Sequence, residues 1–202
     1  MCITTLDVLK PNLKIVFCGM AAGNRSAKLK AYYAGVANKF WKALFDSGLT
    51  RNKLSPRDFE QLPDYGIGLT DLIKDKAGND SDVSANINDI QKLKDKIQYY
   101  QPMLLAFVGK EAAKIVLRQS PIEYGMQRQM IGQTKIFVLP STATTADKWF
   151  DISYWKELAR FTSVGVVQIS DHDGTLGLID ALQQKTKGKS SVDVSLDTNA
   201  IE

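Results

Sequence analysis

The chain has 202 residues, 44% of them hydrophobic and 24% charged, with a net charge of +4. This is ordinary globular composition, long enough for one substantial core, and so small a basic excess permits a nucleic-acid partner without requiring one. Two cysteines and a single histidine, His172, exclude a disulfide framework and offer no metal-ligand spacing.

The first residues, MCITTLDVLKPNLK, lack the basic start and long apolar stretch of a signal peptide, and no segment reaches transmembrane length. A reducing cytoplasm is therefore expected. Residues 14–18 (KIVFC) read as a strand, with Cys18 as a buried thiol. The following stretch, GMAAGNRSA (residues 19–27), reads as a tight loop where a ligand is brought close to the backbone. Residues 38–47 form a helical pattern with Asn38 as N-cap and Gly48 just beyond. The long connection from Gly48 to Asn86 contains DYGIGLTDLI (residues 64–73). Residues 87–100 place Ile87, Ile90, Leu93 and Ile97 at helical spacing. Strands are then expected at 103–108, 135–139 and 164–169, with helices at 111–118 and 148–161. From about residue 184 the chain is polar and reads as a tail after a single domain over 1–183.

Strands alternating with helices argue a central, mainly parallel sheet of four strands with helices on both faces, and thus a three-layer α/β/α sandwich. Ligands of such sheets bind beyond the carboxyl ends of the strands. GMAAGNRSA, GKEAA (residues 109–113) and PSTATT (residues 140–145) all fall there. Neither G-x-x-x-x-G-K-[ST] nor G-x-G-x-x-G is present, which argues against a phosphate loop. Tyr33, next to a glycine-lined backbone, has the placement that stacking on a flat base needs. Phe40, Trp41, Leu44 and Phe45 read instead as the core face of their helix.

The stretch KIVFCGMAAGNRSAKLKAYYAGVANKFWKALFDSGLT resembles the first motif region of the mismatch-specific uracil/thymine DNA glycosylases, a branch of the uracil-DNA glycosylase superfamily. The likeness continues through DYGIGLTDLI, FVGKEAA and FVLPSTATTADKWFDISYWKELARF, over roughly residues 12–162. It implies an enzyme that flips a uracil or a mismatched or damaged base from duplex DNA and hydrolyses its N-glycosidic bond. No metal or other cofactor and a monomeric state are implied as well. By this resemblance Met20, Ala21 and Gly23 lie where the backbone reads the base, Ser26 lies near it, and Tyr33 stacks on it. Arg25, Lys39, Lys110 and Lys148 fall on the DNA side. Ser141, Thr142, Ala143, Thr144 and Thr145 match the loop pressed into the duplex, with Thr145 where relatives carry a larger Leu or Arg wedge.

The family pattern Gly-Ile-Asn-Pro-Gly uses its Asn to position the attacking water, but this chain has Ala21 and Ala22 in place of Asn-Pro. A methyl group neither orients nor deprotonates water. Hydrolysis through an oxocarbenium-like sugar needs a carboxylate or its equivalent, and Asp71 in GLTDLI is the first candidate. A turn-capping role for Asp71 is the plain alternative. Asn24 is the second candidate, displaced to just after the second glycine, and Asp64 and Asp75 have less support. Two functions remain open: an active glycosylase in which Asp71 substitutes for the missing Asn, or a lesion-binding protein that keeps the fold and has lost catalysis.

Overall fold

A computed structural model describes residues 5–78 and 82–163. The strands are β1 (Ile15–Ala22), β2 (Ile67–Ala77), β3 (Leu104–Val108), β4 (Gly125–Ile131) and β5 (Thr134–Leu139). They form one sheet in the order β2-β1-β3-β5-β4. All neighbours are parallel except the β4–β5 pair. The helices are α1 (Asn24–Leu29), α2 (Phe40–Asp46), α3 (Ile87–Tyr100), α4 (Lys110–Leu117) and α5 (Ile152–Ser163). Two 3₁₀ helices, Pro56–Tyr65 and Thr144–Trp149, complete the elements.

The central strands are apolar on both sides because both sides are covered. Val16, Cys18 and Leu105 face Leu93 and Ile97 of α3 and Ala113 and Val116 of α4. Ile15, Phe17 and Ala106 face Phe40, Trp41 and Leu44 of α2 and Trp155 and Leu158 of α5. Phe17 lies parallel to Trp155 at 5.5 Å between ring centroids and meets Phe40 edge-on at 5.3 Å. Each such fully buried side chain contributes about 2–3 kcal/mol of transfer free energy. This is the three-layer arrangement expected.

The described sheet has five strands where four were expected, and two of the five were not foreseen. β2 was read as part of a connection because Gly66, Gly68 and the Thr70-Asp71 pair interrupt its apolar pattern. It forms because every residue from Ile67 to Ile73 is buried, and β1 supplies a full ladder for it. β4 is an antiparallel edge strand whose middle residues are exposed, so it carries little apolar signal. The strand expected at 164–169, the tail and His172 lie outside the described residues.

The opening loop also needs correction. β1 does not end at Cys18 but runs to Ala22, with Gly19 paired to Asp71 and Ala21 to Ile73. The register shifts between Ala21 and Ala22, and the Gly78 amide then donates to the Ala22 carbonyl at 3.0 Å. β2 is long enough to hold the small residues in a ladder, and α1 follows with Gly23 as its N-cap. The helix expected from 148 begins at Ile152, because the preceding residues take the 3₁₀ form of Thr144–Trp149.

Candidate active site

The site grows from the pairing of β1 with β2. Phe17 and Leu69 are register partners on one face of the sheet, and two residues further on the partners are Gly19 and Asp71. Side chains two residues apart share a face, so Asp71 projects over Gly19. A Cβ at Gly19 would lie 2.6 Å from Oδ1 of Asp71 and 3.4 Å from the hydroxyl of Tyr33. The glycine is what lets a carboxylate and a tyrosine hydroxyl occupy that space.

Tyr33 reaches the same spot through an unusual backbone. Its φ is +51°, a left-handed conformation costly for a side chain of this size. The turn is held from two sides. The Ala34 amide donates to the Ser26 hydroxyl at 2.9 Å, and Nε of Arg25 donates to the Ala34 carbonyl at 2.9 Å. The Tyr33 ring stacks on Phe40 at 3.8 Å between centroids with 13° between planes. One face of the ring is thus covered by the core residue Phe40, which fixes the plane in which the Tyr33 ring lies.

Asp71 is 4% exposed. Oδ2 accepts a hydrogen bond from the Thr5 hydroxyl at 3.2 Å and lies 3.9 Å from Nζ of Lys74. Burial raises its pKa to about 6, and the Lys74 charge and the Thr5 hydrogen bond limit the rise. Asp7 behaves oppositely. Burial alone would raise it, but Lys74 at 2.9 Å and Lys96 at 2.6 Å outweigh burial and hold it below the usual carboxylate range. The N-terminal segment is brought there by a bridge between Val8 and Leu69 along β2. Burial also pushes the Cys18 thiol well up, so this side chain is an inert part of the core.

The other residues singled out from the sequence fall in three places. Met20 buries its side chain in the core on the α3–α4 face and offers only backbone to a ligand; Ala21 is half-buried. Gly23 and Asn24 are exposed at the start of α1, and a Cβ on Gly23 would meet nothing within 4 Å. Ser26 is buried and uses its hydroxyl to hold Ala34.

The third place is the shared end of β3 and β5. The Gly109 amide donates to the Leu139 carbonyl at 3.0 Å, and a Cβ on Gly109 would touch Cβ of Ser141 at 3.5 Å. Lys110 opens α4 with its Nζ 4.3 Å from the ring centre of Tyr124. The Lys39 amide donates to the Thr142 carbonyl at 3.0 Å, and Lys39 Nζ pairs with Asp147 at 2.9 Å. Lys39 directly precedes Phe40, so the loop after β5 is tied to the residue under Tyr33. Thr142 is buried and has no side chain to offer a phosphate, whereas Thr144, Thr145 and Lys148 are exposed.

Sequence reasoning missed Thr5, Asp7, Lys74 and Lys96, which surround Asp71 from 66, 64, 3 and 25 residues away. Only Lys74, three residues along the same strand, carried a local signal. Trp149 was also missed. It is 63% exposed at the end of the loop after β5, with Lys148 Nζ 4.9 Å from its ring centre. Among the described residues no group of three or more His, Cys, Asp or Glu side chains is arranged to hold a metal.

A family model for the uracil DNA glycosylase superfamily matches residues 6–162. Among solved structures, the chain is similar to a candidate uracil DNA glycosylase from Methanosarcina acetivorans, determined by NMR in solution. The two share 22% sequence identity with a TM-score of 0.56, over 79% of this chain and 97% of that one. At that identity the likeness speaks for the fold.

Proposed function

The chain belongs to the uracil DNA glycosylase superfamily, and on that premise we propose that it is an active, monofunctional DNA glycosylase that removes uracil or another mispaired base from duplex DNA. The observation that carries this reading is the buried Asp71 carboxylate, directed over Gly19 beside the Tyr33 hydroxyl. A carboxyl with a pKa near 6 is mostly ionised at neutral pH and still basic enough to take a proton from water.

In this mechanism the extruded base stacks against Tyr33 and is read by backbone groups of Met20 to Gly23. As the N-glycosidic bond breaks, its electron pair leaves with the base and positive charge develops on the sugar. The Asp71 anion stabilises that charge, and water held on Oδ1 adds to the anomeric carbon and gives its proton to the carboxylate. Ala21 takes no part in the chemistry. Lys39, Lys110, Lys148 and the exposed Thr144 and Thr145 bind phosphates and set the register on the duplex. Thr145 is too small to fill the gap left by a flipped base; Trp149 is the large exposed side chain of that loop and takes this role. Mispaired bases cost least to extrude, which favours G·U and G·T substrates of the mismatch-specific branch.

The test is single-turnover release of uracil from a G·U duplex by the wild type, Asp71→Ala and Asn24→Ala. Release by the wild type and Asn24→Ala, with an Asp71→Ala variant that still binds DNA and releases nothing, is the expected result. Binding without release from any of several damaged duplexes would make the protein a lesion binder instead.

A further inference from the structure

The ammonium of Lys74 has three hydrogens, and three acceptors surround it: Oδ1 of Asp7 at 2.9 Å, the Tyr32 hydroxyl at 2.9 Å and the Thr5 hydroxyl at 3.3 Å. All its donors are therefore used. A hydroxyl carries one hydrogen. Because the Thr5 oxygen accepts from Lys74, its own hydrogen is directed elsewhere, and Oδ2 of Asp71 lies 3.2 Å away to receive it. Asp7 is equally occupied, since Oδ1 also accepts from the Thr70 hydroxyl at 2.8 Å and Oδ2 holds Lys96 at 2.6 Å. Donation thus runs outward from Lys74: to Asp7, which also accepts from Lys96, and through the Thr5 hydroxyl to a single oxygen of Asp71.

Resting on the reading of Asp71 given above, we propose that Lys74 is a positioning residue: anchored on Asp7, it polarises and orients Thr5 onto Oδ2 of Asp71, so that Oδ1, beside Gly19 and Tyr33, is the oxygen that holds the attacking water. Lys74 touches neither base nor sugar and acts through Asp71, by way of the Thr5 hydroxyl and by its own charge at 3.9 Å. It also contributes the nearest positive charge, which favours the anionic carboxylate that the chemistry needs. Asp71 is faced by Cys18 from β1, by Tyr32 and Tyr33 from the segment before α2, by Thr5 and Asp7 from the N-terminal segment, and by Lys96 from α3. A cleft of about 70 Å³ between β2 and α3 adds Asp75, Asp89 and Lys92. Replacing Lys74 takes a partner from Asp7, Tyr32 and Thr5 as well, whereas replacing Thr5 leaves the Lys74–Asp7 pair in place, so the two variants together separate the hydroxyl relay from the lysine charge.

The experiment follows the carboxyl carbon of Asp71 by ¹³C NMR across pH in the full chain, beside the pH profile of single-turnover uracil release. It compares the wild type, Lys74→Met and Thr5→Val. Lys74→Met is expected to move the Asp71 midpoint up by about one pH unit, to move the acid limb of the rate with it, and to recover part of the lost rate at high pH. Thr5→Val, which keeps the lysine and the side-chain shape, is expected to move both by less. It keeps the test intact if Lys74→Met fails to fold. An unmoved carboxyl midpoint in both variants overturns the relay, even if Asp71→Ala is inactive. A midpoint that moves while the rate limb stays at the wild-type pH overturns the catalytic reading of Asp71, and the positioning role falls with it.

Discussion

Gly19→Ala puts the reading of the site to a direct steric test. The added methyl would lie 2.6 Å from Oδ1 of Asp71, where ordinary contact begins near 3.4 Å, so the carboxylate or the strand must give by about 0.8 Å. The strand is held by ladders on both sides, and Asp71 is the softer partner. Its short side chain has no long arm to swing, and Thr5 and Lys74 restrain the other oxygen. Overpacking of this kind costs about 1–3 kcal/mol of stability, and a misplacement on the order of 1 Å costs about 100-fold in rate. Single-turnover uracil release by Gly19→Ala is therefore expected to fall about 100-fold, with DNA affinity nearly unchanged. Gly35→Ala is the control, because its φ is not positive and a Cβ there would meet only Cβ of Asn38, at an ordinary 3.5 Å; its rate should match the wild type. Combining Gly19→Ala with Asp71→Ala should cost no more rate than Asp71→Ala alone, as expected of two changes acting through one group. A Gly19→Ala enzyme with wild-type rate would refute the argument, since it would show that the position of Oδ1 does not matter.

Asp71 should also govern the pH dependence of stability. Its native pKa, about 6, lies above the ordinary 3.8, so the folded protein holds this proton more tightly than the unfolded chain does. Its contribution is present in full below pH 3.8 and is lost as pH rises to about 6, for a total of about 3 kcal/mol. Asp71→Asn should therefore be more stable than the wild type at pH 7.5 and lose most of that advantage at pH 4, as read by urea unfolding. Lys39→Ala and Lys110→Ala should each weaken binding to all duplexes alike and lower the slope of log affinity against log salt by about 1; an unchanged slope would remove them from the DNA interface. Trp149→Ala should weaken binding of a G·U duplex about 10-fold and reduce the fluorescence of 2-aminopurine placed beside the lesion, since stacking on an aromatic ring is worth about 1–3 kcal/mol. Equal affinity and fluorescence would leave the gap in the duplex unfilled by this residue.

The layers of the fold were legible because buried parallel strands and amphipathic helices leave local patterns. Helix α3 is the clearest case. Its bounds follow from the apolar spacing, and Asn86 caps it by accepting from the Asn88 and Asp89 amides. β2 was not legible, because a strand that presents glycine, threonine and aspartate to neighbouring strands has the composition of a turn. The same composition sets the Asp71 carboxylate over Gly19. Asp71 stood out as the first candidate acid through the resemblance, but its surroundings were invisible. Thr5 and Asp7 come from a segment bridged to β2 only through Val8, and no short-range pattern encodes a contact over more than 60 residues. The glycine pair in GMAAG was legible as close approach, yet its meaning was misplaced. Gly19 makes room for a side chain of the neighbouring strand, and only Gly23 stands at an open surface.

The ion network itself bears on why a carboxylate sits at position 71. Asp7 and Asp71 face the same two lysines, yet Asp7 is bound by both at under 3 Å while Asp71 has one neutral hydroxyl and a lysine at 3.9 Å. A network selected for stability alone would serve its most buried acid best, because desolvation costs most there. Here the most buried acid is the least well served, and the difference appears as one carboxyl held low and the other raised to about 6. Pairs of acids pushed apart in this way mark sites where one group fixes structure and the other exchanges a proton. In the proposed mechanism Asp7 is the fixed member, and its charge holds the lysine that steadies Asp71. The parallel register of β1 and β2 then delivers the exchanging carboxylate across Gly19, from the strand beside the one whose Ala21 has nothing to offer.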